Sequence, residues 1–105
     1  MKMYICIKDD TQVGMAMNAA AHGSLMAHLK FGDDGGTDNY KTWLEKSFKK
    51  VTCAVTPAEF AMLKELKDTI VVTESRMNNA ELAVVLCPRP PEQWPEFVNL
   101  LKLWR

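Results

Sequence analysis

An α/β fold built on a mostly parallel sheet is the class this sequence predicts, and three observations predict it. Apolar and β-branched runs recur along the chain at Lys2–Lys8, Lys50–Val55, Thr69–Thr73 and Glu81–Cys87. Helical periodicity or a helix-start signal lies between the first and second runs and between the second and third, the pattern of strand–helix–strand crossovers. The third and fourth runs are joined only by the polar stretch Glu74–Ala80, too short for a helical crossover. The last strand is therefore predicted to run antiparallel.

Composition sets the frame for those elements. The 105 residues are 48% hydrophobic and 25% charged, which predicts one globular domain, 1–105, with a core that needs no metal or disulfide. No apolar run reaches the ~18 residues of a membrane span, and MKMYICIKDD turns acidic too soon for a signal peptide. A cytoplasmic protein with no membrane partner is the expectation. Cys6, Cys53 and Cys87 each lie within an apolar strand run and are expected to be reduced, buried filler.

The first strand, Lys2–Lys8, is nearly continuous in apolar residues (Tyr4, Ile5, Cys6, Ile7), as a central strand covered on both faces would be. The helix after it is predicted over about Met15–Lys30, with Met15, Ala19, His22, Leu25, Met26 and Leu29 as its apolar face. Ala19, Ala20, Ala21 and Gly23 would let it approach the sheet closely. Phe31–Asn39 is rich in glycine and aspartate and reads as a loop. Asp34, Asp38 and Glu45 match part of a calcium-loop spacing, but Gly36 and Asn39 occupy positions that the loop needs otherwise, so the match is read as chance.

Tyr40–Lys49 is predicted as a short amphipathic helix or turn that packs through Tyr40, Trp43, Leu44 and Phe48. Lys41, Lys46, Lys49 and Lys50 interleave with these aromatics, and a solvated helix face is favoured over an RNA patch. Thr56-Pro57-Ala58-Glu59 announces a helix with a threonine cap, a proline at its first position and a capping-box glutamate. Phe60, Leu63 and Leu66 would bury one face of it, ending near Lys67. After the fourth strand, closed by Pro88-Arg89-Pro90-Pro91, a last helix carrying Trp94, Phe97, Leu100, Leu101 and Trp104 is expected to cap the core.

The element order and several local motifs look like the type II peptidyl-tRNA hydrolase superfamily over nearly the whole chain. The residues that carry the resemblance are Lys8-Asp9-Asp10, Gly14, Ala19-Ala20-Ala21, Tyr40–Trp43, Thr56-Pro57 and Leu86-Cys87-Pro88. Residues 14–22, GMAMNAAAH, look closer still to an uncharacterised, lysine-lacking branch with an asparagine and a histidine on this helix. The resemblance implies a three-layer α/β/α fold with a four-stranded mixed sheet, order 2-1-4-3, strand 4 antiparallel. Where the hydrolases carry lysines in the loop opening the first helix, this chain has Gln12, Met15 and Met17. Where they carry a glutamine and a histidine, it has Ala21 and Ser24, with His22 displaced. Glu74 matches their acidic residue before the fourth strand, and Thr73 or Ser75 their threonine.

A strand leading into a helix N-terminus makes a cradle for negative charge. Asp10, Gly14, Met15 and Asn18 belong to that cradle. Ser75, Arg76, Asn78 and Asn79 would face it from the end of the third strand, where ligands of open α/β sheets bind. Arg76 is the cation placed to replace the missing lysines. No lysine or arginine lies between Lys8 and Lys30, and that loss of charge favours a non-catalytic binder of a small anionic or nucleotide-type ligand. The alternative is a hydrolase of peptidyl-tRNA in which His22 and Glu74 activate water. A histidine simply buried between helix and sheet is the structural alternative for His22, while His28 is expected at the surface. No metal or cofactor is expected. A homodimer is left open, and so is a protein adaptor using the aromatic tail.

Overall fold

The structure, a computed structural model, describes residues 1–32 and 37–105. Its elements run β1 (Lys2–Lys8), α1 (Val13–Phe31), α2 (Asp38–Lys46), β2 (Lys49–Val55), α3 (Pro57–Lys64), β3 (Thr69–Glu74), a 3-10 turn (Ser75–Met77), β4 (Ala80–Arg89), a second such turn (Pro91–Gln93), α4 (Glu96–Asn99) and β5 (Lys102–Leu103). The strands form one five-stranded mixed sheet in the order β3-β4-β1-β2-β5. β1 and β2 are parallel, whereas β4 is antiparallel to both β1 and β3, and β5 is antiparallel to β2, so only one of the four pairings is parallel and the sheet is mixed rather than mostly parallel as expected.

The pleat of β1 explains the layering, because alternate side chains leave opposite faces of a strand. Met3, Ile5 and Ile7 join α1 and α2 in one core, while Tyr4 and Cys6 join Phe60 and Leu63 of α3 and Trp94 and Val98 of the tail in the other. The central strand is covered on both sides, as its unbroken apolarity implied. A register shift between Val72 and Thr73 of β3 leaves Leu82 of β4 without a partner. This bulge turns Leu82 toward the mouth between β4 and α1.

Four other expectations need correction. The sheet has five strands, not four, because β5 was hidden inside the stretch read as a last helix. Pro91 and Pro95 break that stretch into short turns, since proline supplies no N–H to an interior helical bond. The open edge of β2 then captures the chain end, with Trp104 N–H donating to Thr52 O at 2.9 Å. Trp94 still covers the core, its ring edge-on to Tyr4 at 5.5 Å.

The second correction concerns α1. Its buried residues are Ala16, Ala19, Gly23, Ala27 and Phe31, while His22, Leu25, Met26 and Leu29 are exposed. A Cβ at Gly23 would lie 2.5 Å from Val85 Cγ2 and 3.3 Å from Val72 Cγ2. The sheet presents bulky side chains here, so the helix must present small ones.

Third, Tyr40 and Trp43 of α2 are buried, but Leu44 and Phe48 are largely at the surface, and Lys50 Nζ lies 3.3 Å from the Phe48 ring centroid. Two of the three rings interleaved with lysines are therefore closed to a nucleobase. Fourth, α3 ends at Lys64 rather than near Lys67. Phe31 closes α1 and Asp38 opens α2, and Asp34 of the calcium-like spacing lies outside the described residues.

Candidate functional site

The carboxyl ends of β1 and β2 lie side by side, with Lys8 opposite Val55. Beyond Lys8 the chain turns sharply: Asp9 N–H donates to Val55 O at 2.9 Å and Thr11 N–H to Lys8 O at 3.1 Å. Gln12 then caps α1 with extended backbone angles (φ −63°, ψ 147°), and Ala16 N–H closes the first helical bond onto Gln12 O at 2.9 Å. No side-chain oxygen of Gln12 reaches the first turn, and no acidic residue lies in that turn. The N–H groups of this turn thus lack the partner that a Ser, Thr or Asp cap supplies. Gly14 widens the approach to them, since a Cβ there would meet nothing within 4 Å.

This helix start opens on a cavity of about 450 Å³, lined among others by Lys8, Asp10, Gln12, Met15, Met77, Glu81 and Leu82. The cradle is not without a cation, contrary to the sequence expectation: Lys8, at the end of β1, lines it directly. Lys8 Nζ sits 4.6 Å from the Phe60 ring centroid, a cation–π contact that holds the ammonium at the strand end. Glu81 is paired with Lys64 of α3 at 2.7 Å, which offsets its charge on the cavity wall. Asp10 is exposed at the rim.

The predicted second group assembles differently. Glu74 is buried, with 11% of its side chain exposed, and its Oε1 accepts Arg76 Nε at 2.8 Å and Arg76 N–H at 3.2 Å. These two bonds hold the Glu74 carboxyl below the usual carboxylate range, with a smaller through-space contribution from His22. Arg76 also reaches Met15 Sδ at 3.8 Å, so the end of β3 does meet the start of α1. Asn78 and Asn79 both adopt left-handed backbone (φ 55° and 60°), and Asn79 N–H donates to Glu74 O at 3.0 Å. Their short polar side chains suit a tight turn that β-branched residues would strain. Ser75, Asn78 and Asn79 are exposed and lie outside the cavity wall.

His22 is exposed on α1, about two turns beyond Met15, and does not line the cavity. It is not the buried histidine of the structural alternative, nor is it hydrogen-bonded to Glu74, whose Oε1 is taken by Arg76. Asn18 is likewise exposed. His28 is at the surface as expected, its Nδ1 3.2 Å from Tyr40 Oη.

Lys8, Lys64, Met77, Glu81 and Leu82 are among the site residues that the sequence did not point to. Lys8 was visible as the last residue of the first strand, while the Lys64–Glu81 pair depends on α3 and β4 meeting across the sheet end. Among the described residues no cluster of histidine, cysteine or carboxylate groups is arranged to hold a metal. The three thiols are buried, and contact with Cys53 together with burial pushes the Cys6 thiol up, away from a nucleophile's range. No model of a protein family matches this chain, and no curated protein matches its sequence.

Proposed function

We propose that this chain is a peptidyl-tRNA hydrolase II-like domain that binds a small anionic, nucleotide-type ligand without turning it over. The observation that carries the reading is the uncapped start of α1 opening, beside Lys8, into the cavity that Met15 and Leu82 wall. Backbone N–H groups of the first turn and the Lys8 ammonium suit a phosphate or carboxylate, and the apolar walls suit a flat base or acyl group. Hydrolysis needs a base within hydrogen-bond reach of a water at the scissile bond. The two residues offered for it do not meet: His22 stands outside the cavity and Glu74 is engaged by Arg76.

Thermal unfolding against a panel of nucleoside mono-, di- and triphosphates, with inorganic phosphate and pyrophosphate, tests this. A ligand at about 100 times its Kd stabilises by about 2.7 kcal/mol, a shift of roughly 10 °C or more for a domain of this size. Lys8→Gln is expected to remove most of that shift. Cleavage of a peptidyl-tRNA ester that is lost in His22→Ala would replace binding with catalysis as the function.

A further inference from the structure

We infer that a second copy of this chain docks on the flank formed by the exposed side of α1 and the free edge of β3. The two observations behind it are independent. First, α1 carries Met26 and Leu29, 37% and 65% exposed, on the flank that the sequence pattern marks as apolar and that the sheet does not cover. With Thr69–Val71 they line an apolar groove. Second, β3 is an outer strand of the sheet and, at six residues, offers far more open edge than the two-residue β5 at the other side.

The direction of the free backbone groups follows from the pairing with β4. Asp68 O accepts Cys87 N–H, so alternation points Ile70 and Val72 toward β4 and turns Thr69, Val71 and Thr73 outward. Lys30 Nζ, which reaches Thr69 O at 3.2 Å, is the one side chain seen to cover this edge among the described residues. An open edge beside apolar side chains is a template for another strand.

A two-fold axis through Val71 makes this flank its own complement. Val71 pairs with Val71 of the second copy and Thr69 with its Thr73, extending the sheet without a break. The helices then fit as well. α1 lies over the boundary of β3 and β4, where Gly23 meets Val72 and Val85. With strands about 4.8 Å apart, the two α1 helices come to about 10 Å, the ordinary distance for packed helices. Because α1 runs antiparallel to β3, Met26 falls near the axis and Leu29 packs against His22 of the second copy.

The chain carries no net charge, so two copies approach without overall repulsion. Such an interface is isologous, like most closed homodimer contacts. The overlap covers His22 to Lys30 and leaves the cavity at Lys8 and Met15 open, so dimerisation and ligand binding have separate readouts.

Sedimentation equilibrium through the micromolar range tests the dimer. The wild-type chain is expected to be dimeric, and Leu29→Glu, at a position already exposed in one copy, to raise the dissociation constant by about tenfold or more. Met26→Cys is expected to form an intermolecular disulfide on mild oxidation, whereas Leu103→Cys on the opposite sheet edge is not. A wild-type chain that stays monomeric overturns the proposal, including one that binds only a different protein. So does a dimer that Leu29→Glu leaves intact, or one that Leu103→Cys cross-links and Met26→Cys does not.

Discussion

Two strand-to-helix junctions lie next to each other at one end of the sheet, and they are finished in opposite ways. β2 passes through Thr56 straight into α3, whose start is closed on itself: Glu59 N–H donates to Thr56 Oγ1 at 3.2 Å, and Thr56 N–H donates to Glu59 Oε1 at 2.9 Å. β1 passes through a longer turn into α1, whose Gln12 cap supplies no side-chain acceptor. An eight-residue helix has little length to stabilise it and relies on its ends, whereas a nineteen-residue helix seated on the sheet does not. The difference teaches where this fold can leave polar groups free for another molecule: at the start of the element that least needs its own cap.

If packing rather than capping holds α1, the largest effect comes from its contact with the sheet. Gly23→Ala forces a methyl against Val85 and Val72 and is expected to cost about 1–3 kcal/mol in urea unfolding. Gly14→Ala on the same helix meets no atom and is expected to be stabilising by up to about 1 kcal/mol. Equal effects at the two glycines would remove close approach as the source of the position of α1.

A pair of cap exchanges sharpens the contrast with a smaller effect. Thr56→Ala opens the closed junction and is expected to cost about 1 kcal/mol. Gln12→Asp closes the open one, adding an acceptor and a negative charge at the helix start for a gain of about 0.5–1 kcal/mol. The same aspartate should weaken any anion that stabilises the wild-type chain, since both compete for the first-turn N–H groups. A Gln12→Asp variant that is no more stable, yet binds as before, would mean those groups are satisfied in some other way.

The two junctions also differ in how far they could be read from sequence. Thr56-Pro57-Ala58-Glu59 is a local code, and the structure follows it residue by residue. The first strand and its helix were equally legible as elements, but not the face α1 buries. Periodicity favours the large apolar residues, whereas the packed surface is decided by the shape of the sheet beneath, which selects Ala16, Ala19, Gly23 and Ala27. β5 escaped because two residues carry no strand pattern, and only the open edge of β2 makes them one. Cys6 and Cys53 are 47 positions apart in sequence yet stand opposite each other in β1 and β2, a consequence of register. For the same reason the Lys64–Glu81 pair is a property of the folded chain alone.

The smallest effect is set by the carboxylate that anchors Arg76 beside the open junction. Glu59 closes a helix, whereas Glu74 holds Arg76 against the start of α1. The pKa of Glu74 in the folded chain is lowered, chiefly by the two bonds from Arg76, which outweigh the opposing effect of burial. A lowered pKa means that the ionised form is favoured by folding. Its contribution is therefore fully present above the unfolded value of about 4.3 and is lost as pH falls through the lower folded value. Glu74→Gln is expected to be less stable than wild type at pH 7, and the gap between them should close as the solution is acidified below about pH 4. Urea unfolding across that range measures it. A gap that stays constant with pH would show that the variant loses shape or packing at this position rather than an ion pair, and Arg76 would then be held beside Met15 by the turn alone.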